Sequence, residues 1–133
     1  MKQLAKRVLI VLSAAVLATG MVTAHHSLGM FDMTKTTAVT GTVRVFEWTN
    51  PHAWLWITVA NAGDNEAWGF ELAALSMIRR NGLSKDSFKP GDKLTVSMHP
   101  AKQGHGGSFI FATFADGHTV GRAPGNGPPP ATP

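Results

Sequence analysis

The chain is predicted to fold as an all-β domain with a small α contribution, a five-stranded OB-like β-barrel in the order β-β-β-α-β-β. Three observations predict this. Five segments alternate apolar and polar residues with the period of two that a half-buried strand requires. Beyond residue 24, only residues 73–81 carry helical spacing, through Leu75, Ile78 and Arg79. Three strands, a short helix and two strands within about 85 residues is the order of a small, partly open barrel of the OB type. With 133 residues, 44% hydrophobic and 15% charged, the chain is in the globular range and long enough for one domain.

The elements follow in order. Residues 37–48 form the first strand, with Val39, Val43 and Val45 on one parity and Thr40, Thr42 and Arg44 on the other. Thr49-Asn50-Pro51 is turn chemistry. In the second strand, residues 52–60, Ala53, Leu55, Ile57 and Val59 make an aliphatic face, while His52, Trp54, Trp56 and Thr58 make the opposite one. Residues 61–66 form a hairpin loop and 67–72 the third strand. A hairpin centred there puts Trp54 and Trp56 on the face of Gly69 and Glu71, and Trp68 and Phe70 beside Leu55 and Ile57 in the core. After the helix, which Asn81-Gly82 stops, Pro90-Gly91-Asp92 turns into the fourth strand, residues 93–99. A glycine-rich loop, 101–107, leads to the fifth strand, 108–115, and the Asp116-Gly117 turn.

The ends read differently. Lys2, Lys6 and Arg7, the apolar run from Val8 to Val22, and small residues up to Ala24 have the order of a secretory signal. The expected division is therefore a signal peptide at 1–24, an N-terminal arm at 25–36, the barrel domain at 37–120 and a disordered Pro/Gly-rich tail at 121–133. Removal of the signal takes three of the 12 basic side chains and none of the eight acidic ones. The basic pI near 9.9 thus records mainly the signal. The remaining cations are dispersed, which excludes the basic stripe that nucleic-acid binding requires. The expected location is the periplasm, with no membrane attachment after cleavage.

The pattern His25-His26-Ser27 after a signal, Gly41-Thr42-Val43, Glu47-Trp48-Thr49-Asn50-Pro51-His52-Ala53-Trp54, Trp68-Gly69-Phe70-Glu71, Pro90-Gly91-Asp92 and His99-Pro100 resembles a bacterial family of small exported proteins of the domain-of-unknown-function kind. The resemblance spans nearly the whole mature chain except the tail and implies export and fold, with no activity attached. A looser similarity extends to periplasmic OB-fold proteins, including the haem chaperone of cytochrome c maturation. That chaperone attaches haem through a histidine near its C-terminal end, where His118 stands here without the matching surroundings.

Zero cysteines exclude a disulfide scaffold, a thiol nucleophile and thiolate metal sites, so any metal chemistry falls to His, Asp, Glu, Met or backbone groups. All six histidines lie beyond the signal. Cleavage after Ala24 would put a free α-amine beside the His25 imidazole, a chelating pair that the precursor lacks, with His26 next to it. His52, His99 and His105 fall at the strand ends and loop that border the binding face of an OB-fold. With Met30, Met33 and Met98 nearby in sequence, the donors suit copper, with zinc as the alternative. The 11 residues from His25 to Lys35 reach ~36 Å when extended. The expected function is therefore an exported, non-catalytic protein binding a copper-like ion through His25, His26, His52, His99 and His105.

The alternative is an oligomer- or protein-binding module, with a small ligand or a periplasmic protein as partner, using Trp54, Trp56 and Glu71. Two aromatics on one strand face form a stacking platform or seal a packing layer over Gly69. Glu71 would accept a hydrogen bond from an indole or pair with Arg44. No residue is assigned a catalytic role. Glu47 and Glu71 are the only glutamates on the predicted strands, and Gly104-His105-Gly106-Gly107 lacks the strand-to-helix setting of a phosphate loop.

Overall fold

The computed structural model describes residues 29–123, and the expectations for His25, His26, the signal peptide and the tail beyond Ala123 lie outside them. The chain partitions into two units at Met30/Phe31, and the architecture below is that of the second. It is mostly β: six strands, β1 (Thr37–Glu47), β2 (Trp54–Asn61), β3 (Asp64–Glu71), β4 (Lys93–Pro100), β5 (Gly106–Phe114) and β6 (Thr119–Gly121), with one helix, α1 (Leu75–Arg80), between β3 and β4. Among the described residues no helix is long and apolar enough to cross a membrane.

The strands form one sheet in the order β3-β2-β1-β4-β5-β6, antiparallel throughout, and a short parallel pairing of β3 with β5 closes five of them into a ring of pairings. β1 serves both sides of that ring. Its first half, Thr37 to Thr42, pairs with β4, and its second half, Thr42 to Glu47, pairs with β2. The change of partner coincides with a bulge. Val43 sends its amide to Asp92 O (2.8 Å), its carbonyl accepts from Gly91 N (2.9 Å), and the register to β2 shifts between Val43 and Val45. An extra residue on one strand reverses parity beyond it. Val43 is therefore buried, whereas Val45, expected on the same face, is 42% exposed.

Two boundaries are also corrected. The hairpin between β2 and β3 is tighter than the predicted loop, since pairing continues to Asn61↔Asp64 with only Ala62 and Gly63 between, the glycine at φ 117°. A sixth strand follows the Asp116-Gly117 turn, and Arg122 N bonds Ile110 O at 2.9 Å, so the fold runs past residue 120 to the buried Ala123.

The interior follows from alternation. Leu55 and Ile57 of β2, Phe70 of β3 and Val96 of β4 are fully buried, joined by Val43, Leu94, Met98 and Ala112. Each of these side chains larger than alanine contributes about 1.5–3 kcal/mol by leaving water. Helix α1 adds Leu75 and Ile78 to the same core. Its first residue has no cap from Ala74; instead Leu75 N donates to Asn50 Oδ1 at 3.4 Å, and Arg79 lies 5.4 Å over the Trp48 ring, so the β1–β2 turn and the helix hold each other. The N-terminal arm docks on the far end of β4: Phe31 bridges Ala101 and is buried, and Asp32 N bonds Pro100 O at 2.9 Å.

Candidate functional site

Register builds the site. Glu47 of β1 pairs with Trp54, Trp54 with Glu71 of β3, Glu71 with Ser108 of β5, and Ser108 with His99 of β4. Cross-strand partners share a face, so these five residues form one row around the outside of the ring. A second row begins with Val45, Trp56, Gly69 and Gly106. The two tryptophans, two residues apart on β2, stack with centroids 5.6 Å apart and 17° between planes.

Glycine makes the second row possible. A Cβ on Gly69 would stand 2.5 Å from the Trp56 ring, and one on Gly106, which sits at φ 139°, would stand 1.9 Å from Gly69 O. Trp56 thus lies flat on the strand beside it, and β5 approaches β3 closely enough to pair. The cover is tight, because Trp56 Nε1 is buried without a hydrogen-bond partner among the described residues. The packing role expected of Trp56 over Gly69 is realised, and Trp54 continues the aromatic surface toward Glu71.

Although it belongs to this outer row, Glu71 is 9% exposed, the one charged residue that is buried among the described residues. Its Oε1 pairs with Nδ1 of His52, which stands just before β2. The expected partners of Glu71, an indole or Arg44, are not the ones found; Arg44 is the bulge residue on β1 and is exposed. A carboxylate only accepts, so Nδ1 of His52 carries the hydrogen. His99 is held in the same manner: its Nδ1 lies 2.8 Å from the Lys35 carbonyl oxygen, which also only accepts. In a neutral ring held this way the lone pair is on Nε2.

His105 departs from the expected group. Its ring stacks on Trp68 at 5.2 Å, and its Nδ1 lies 3.6 Å from Glu66 Oε2. The Trp68 indole N–H, and then the Asn61 amide, hold the Glu66 carboxyl below its usual range. His52, His99 and His105 therefore each have a separate local partner, and among the described residues no three His, Asp or Glu side chains converge to hold a metal ion. The reason lies in register: Gly106 is opposite Gly69 while His99 is opposite Ser108, so the turn carrying His105 leans toward the middle of β3. His118 pairs with Asp116 at 2.5 Å and stacks on Phe114 at 4.1 Å; its backbone N–H, then its ring, lower the Asp116 carboxyl.

Trp54, Trp56 and Glu71 come together as alternation predicts. Ser108 was missed, because its place beside Glu71 depends on the parallel β3–β5 pairing, which no local pattern announces.

A family model described as a family of unknown function (DUF6152) matches residues 11–109. No curated protein matches the chain, and no solved structure does.

Proposed function

The chain belongs to DUF6152, a family of unknown function, and from that premise we propose that it is an exported, non-catalytic binding module of the OB type. Its pairing order, with β1 shared between β2 and β4 and β3 beside β5, supports the OB reading. So does the helix between β3 and β4. The surface of β2 and β3 is the face that such folds use for extended ligands.

One observation carries the binding reading: a stacked Trp54–Trp56 pair lies directly beside the His52–Glu71 pair. Flat apolar faces next to fixed hydrogen-bonding groups suit a neutral oligosaccharide, whose ring faces stack and whose hydroxyls donate and accept. A polyanion is disfavoured, since Glu47 and Glu71 flank Trp54 on both sides. Titration of the exported protein with neutral oligosaccharides, followed by tryptophan emission, is expected to saturate, and Trp54→Ala to abolish the response. Emission that no oligosaccharide perturbs would remove this reading.

A second reading keeps the copper-like ion at the processed terminus. What favours it is that His52 and His99 are both tied through Nδ1, the usual preparation of an imidazole for metal binding through Nε2. Metal analysis of periplasmic protein beside a His25→Ala/His26→Ala variant tests it. Equal and negligible copper in the two would end it.

A further inference from the structure

A cleft of about 360 Å³ opens between helix α1 and strands β4, β5 and β6. Its wall includes two methionines from distant parts of the chain, Met33 of the N-terminal arm and Met77 of α1, together with His99. Methionine is usually buried, yet Met33 is 45% and Met77 49% exposed. Neither thioether is consumed by the core, and both border the same space as an imidazole whose Nδ1 is occupied by the Lys35 carbonyl.

We infer that this cleft is a Cu(I) site, with Sδ of Met33, Sδ of Met77 and Nε2 of His99 as its ligands. The chemistry selects the ion. Thioethers are soft neutral donors that favour Cu(I), while imidazole accepts several metals. Zn(II) and Cu(II) would find one imidazole and, among the described residues lining the cleft, no carboxylate. Arg122 on the same wall adds a positive charge, which opposes a divalent ion more strongly than a monovalent one. The anchoring is built in: Lys35 is itself held by Asp32 at 2.9 Å, and the Asp32 amide is held by Pro100 O, so the arm that brings Met33 also fixes the His99 ring. This site goes beyond the carbohydrate reading and uses none of the Trp54–Trp56 face. It also differs from a site at the processed terminus, because its three ligands lie between residues 33 and 99.

The test uses the full exported chain carrying His25→Ala/His26→Ala, so that the terminal imidazoles cannot contribute. Cu(I) is offered anaerobically as its bathocuproine disulfonate complex, and transfer is read from the loss of chelator colour. One equivalent is expected to move to the protein. Met33→Leu/Met77→Leu, added to that background, is expected to weaken binding more than about 10-fold, since even outer partners of metal ligands are worth about 10–100-fold. Leucine keeps the apolar volume, and an unchanged far-ultraviolet spectrum and melting curve will certify the fold. X-ray absorption of the loaded parent should report sulfur and nitrogen neighbours, and the double variant should lose the sulfur. A parent that takes no Cu(I), or a double variant that binds within 10-fold of it, overturns the assignment.

Discussion

The tryptophan face and the methionine cleft lie on either side of the β3–β5 seam and are made in opposite ways. On the face, every member is a neighbour by register on adjacent strands, the Trp56 ring lies against Gly69, and the two indoles already stack on each other. In the cleft, the members arrive from the arm, the helix and three strands, and the soft side chains remain exposed. The first is a surface pre-shaped by the sheet. The second exists only because separate segments converge, and it therefore depends on how each of them is docked.

That difference is open to attack from both sides. The largest effect is expected from Gly106→Ala. Its methyl would strike Gly69 O from a backbone with positive φ, parting β3 from β5, and the cost is more than about 3 kcal/mol in a chemical-denaturation curve. Next comes Gly69→Ala, which displaces Trp56 and should cost about 1–3 kcal/mol, with a red shift of tryptophan emission as the ring leaves its cover. His52→Ala leaves the buried Glu71 carboxylate without its partner, a loss of about 1–3 kcal/mol that thermal melting will read. Met33→Leu/Met77→Leu should change stability by less than about 1.5 kcal/mol while affecting the cleft alone, because the swap conserves apolar volume.

The smallest effect concerns the arm. Thr34, through its hydroxyl first, and then Lys35 hold the Asp32 carboxyl down to about 2 from 3.8. A lowered carboxyl stabilises the fold above its unfolded value, and that support is lost as pH falls from about 3.8 toward about 2. The Thr34 amide, 3.2 Å from Asp32 Oδ1, should report the transition in its chemical shift, and Asp32→Asn should abolish it.

How much of this was legible follows the same division. The β2–β3 register could be read because a short loop and strict alternation leave few choices, so Trp54, Trp56, Gly69 and Glu71 fell on one face as expected. Val45 was misassigned because a bulge at Arg44 is set by the Pro90-Gly91-Asp92 turn, 46 residues away in the chain, as the Val43 bonds to Gly91 and Asp92 attest. β6 escaped notice because three residues after a turn carry too little periodicity. The rim histidines were grouped by their places at strand ends, yet each ring is held by its own neighbours: the Glu71 carboxylate for His52, the Lys35 carbonyl for His99, and the stacked Trp68 ring with the nearby Glu66 carboxylate for His105. Met77 was invisible as a site residue, since on a helix beside Leu75 and Ile78 it passes for core.

The unclaimed Trp56 indole hydrogen turns the molecule into its own reporter. Four tryptophans give four indole signals in a nitrogen–proton spectrum, and only a proton that is both sheltered and without an acceptor combines slow exchange with deuterium and an upfield position. That signal reads the closure of β3 on β5 directly, at single-site resolution and with no label added. It would collapse into the exchanging set when Gly69 or Gly106 is replaced, and it would hold its place when Met33 and Met77 are.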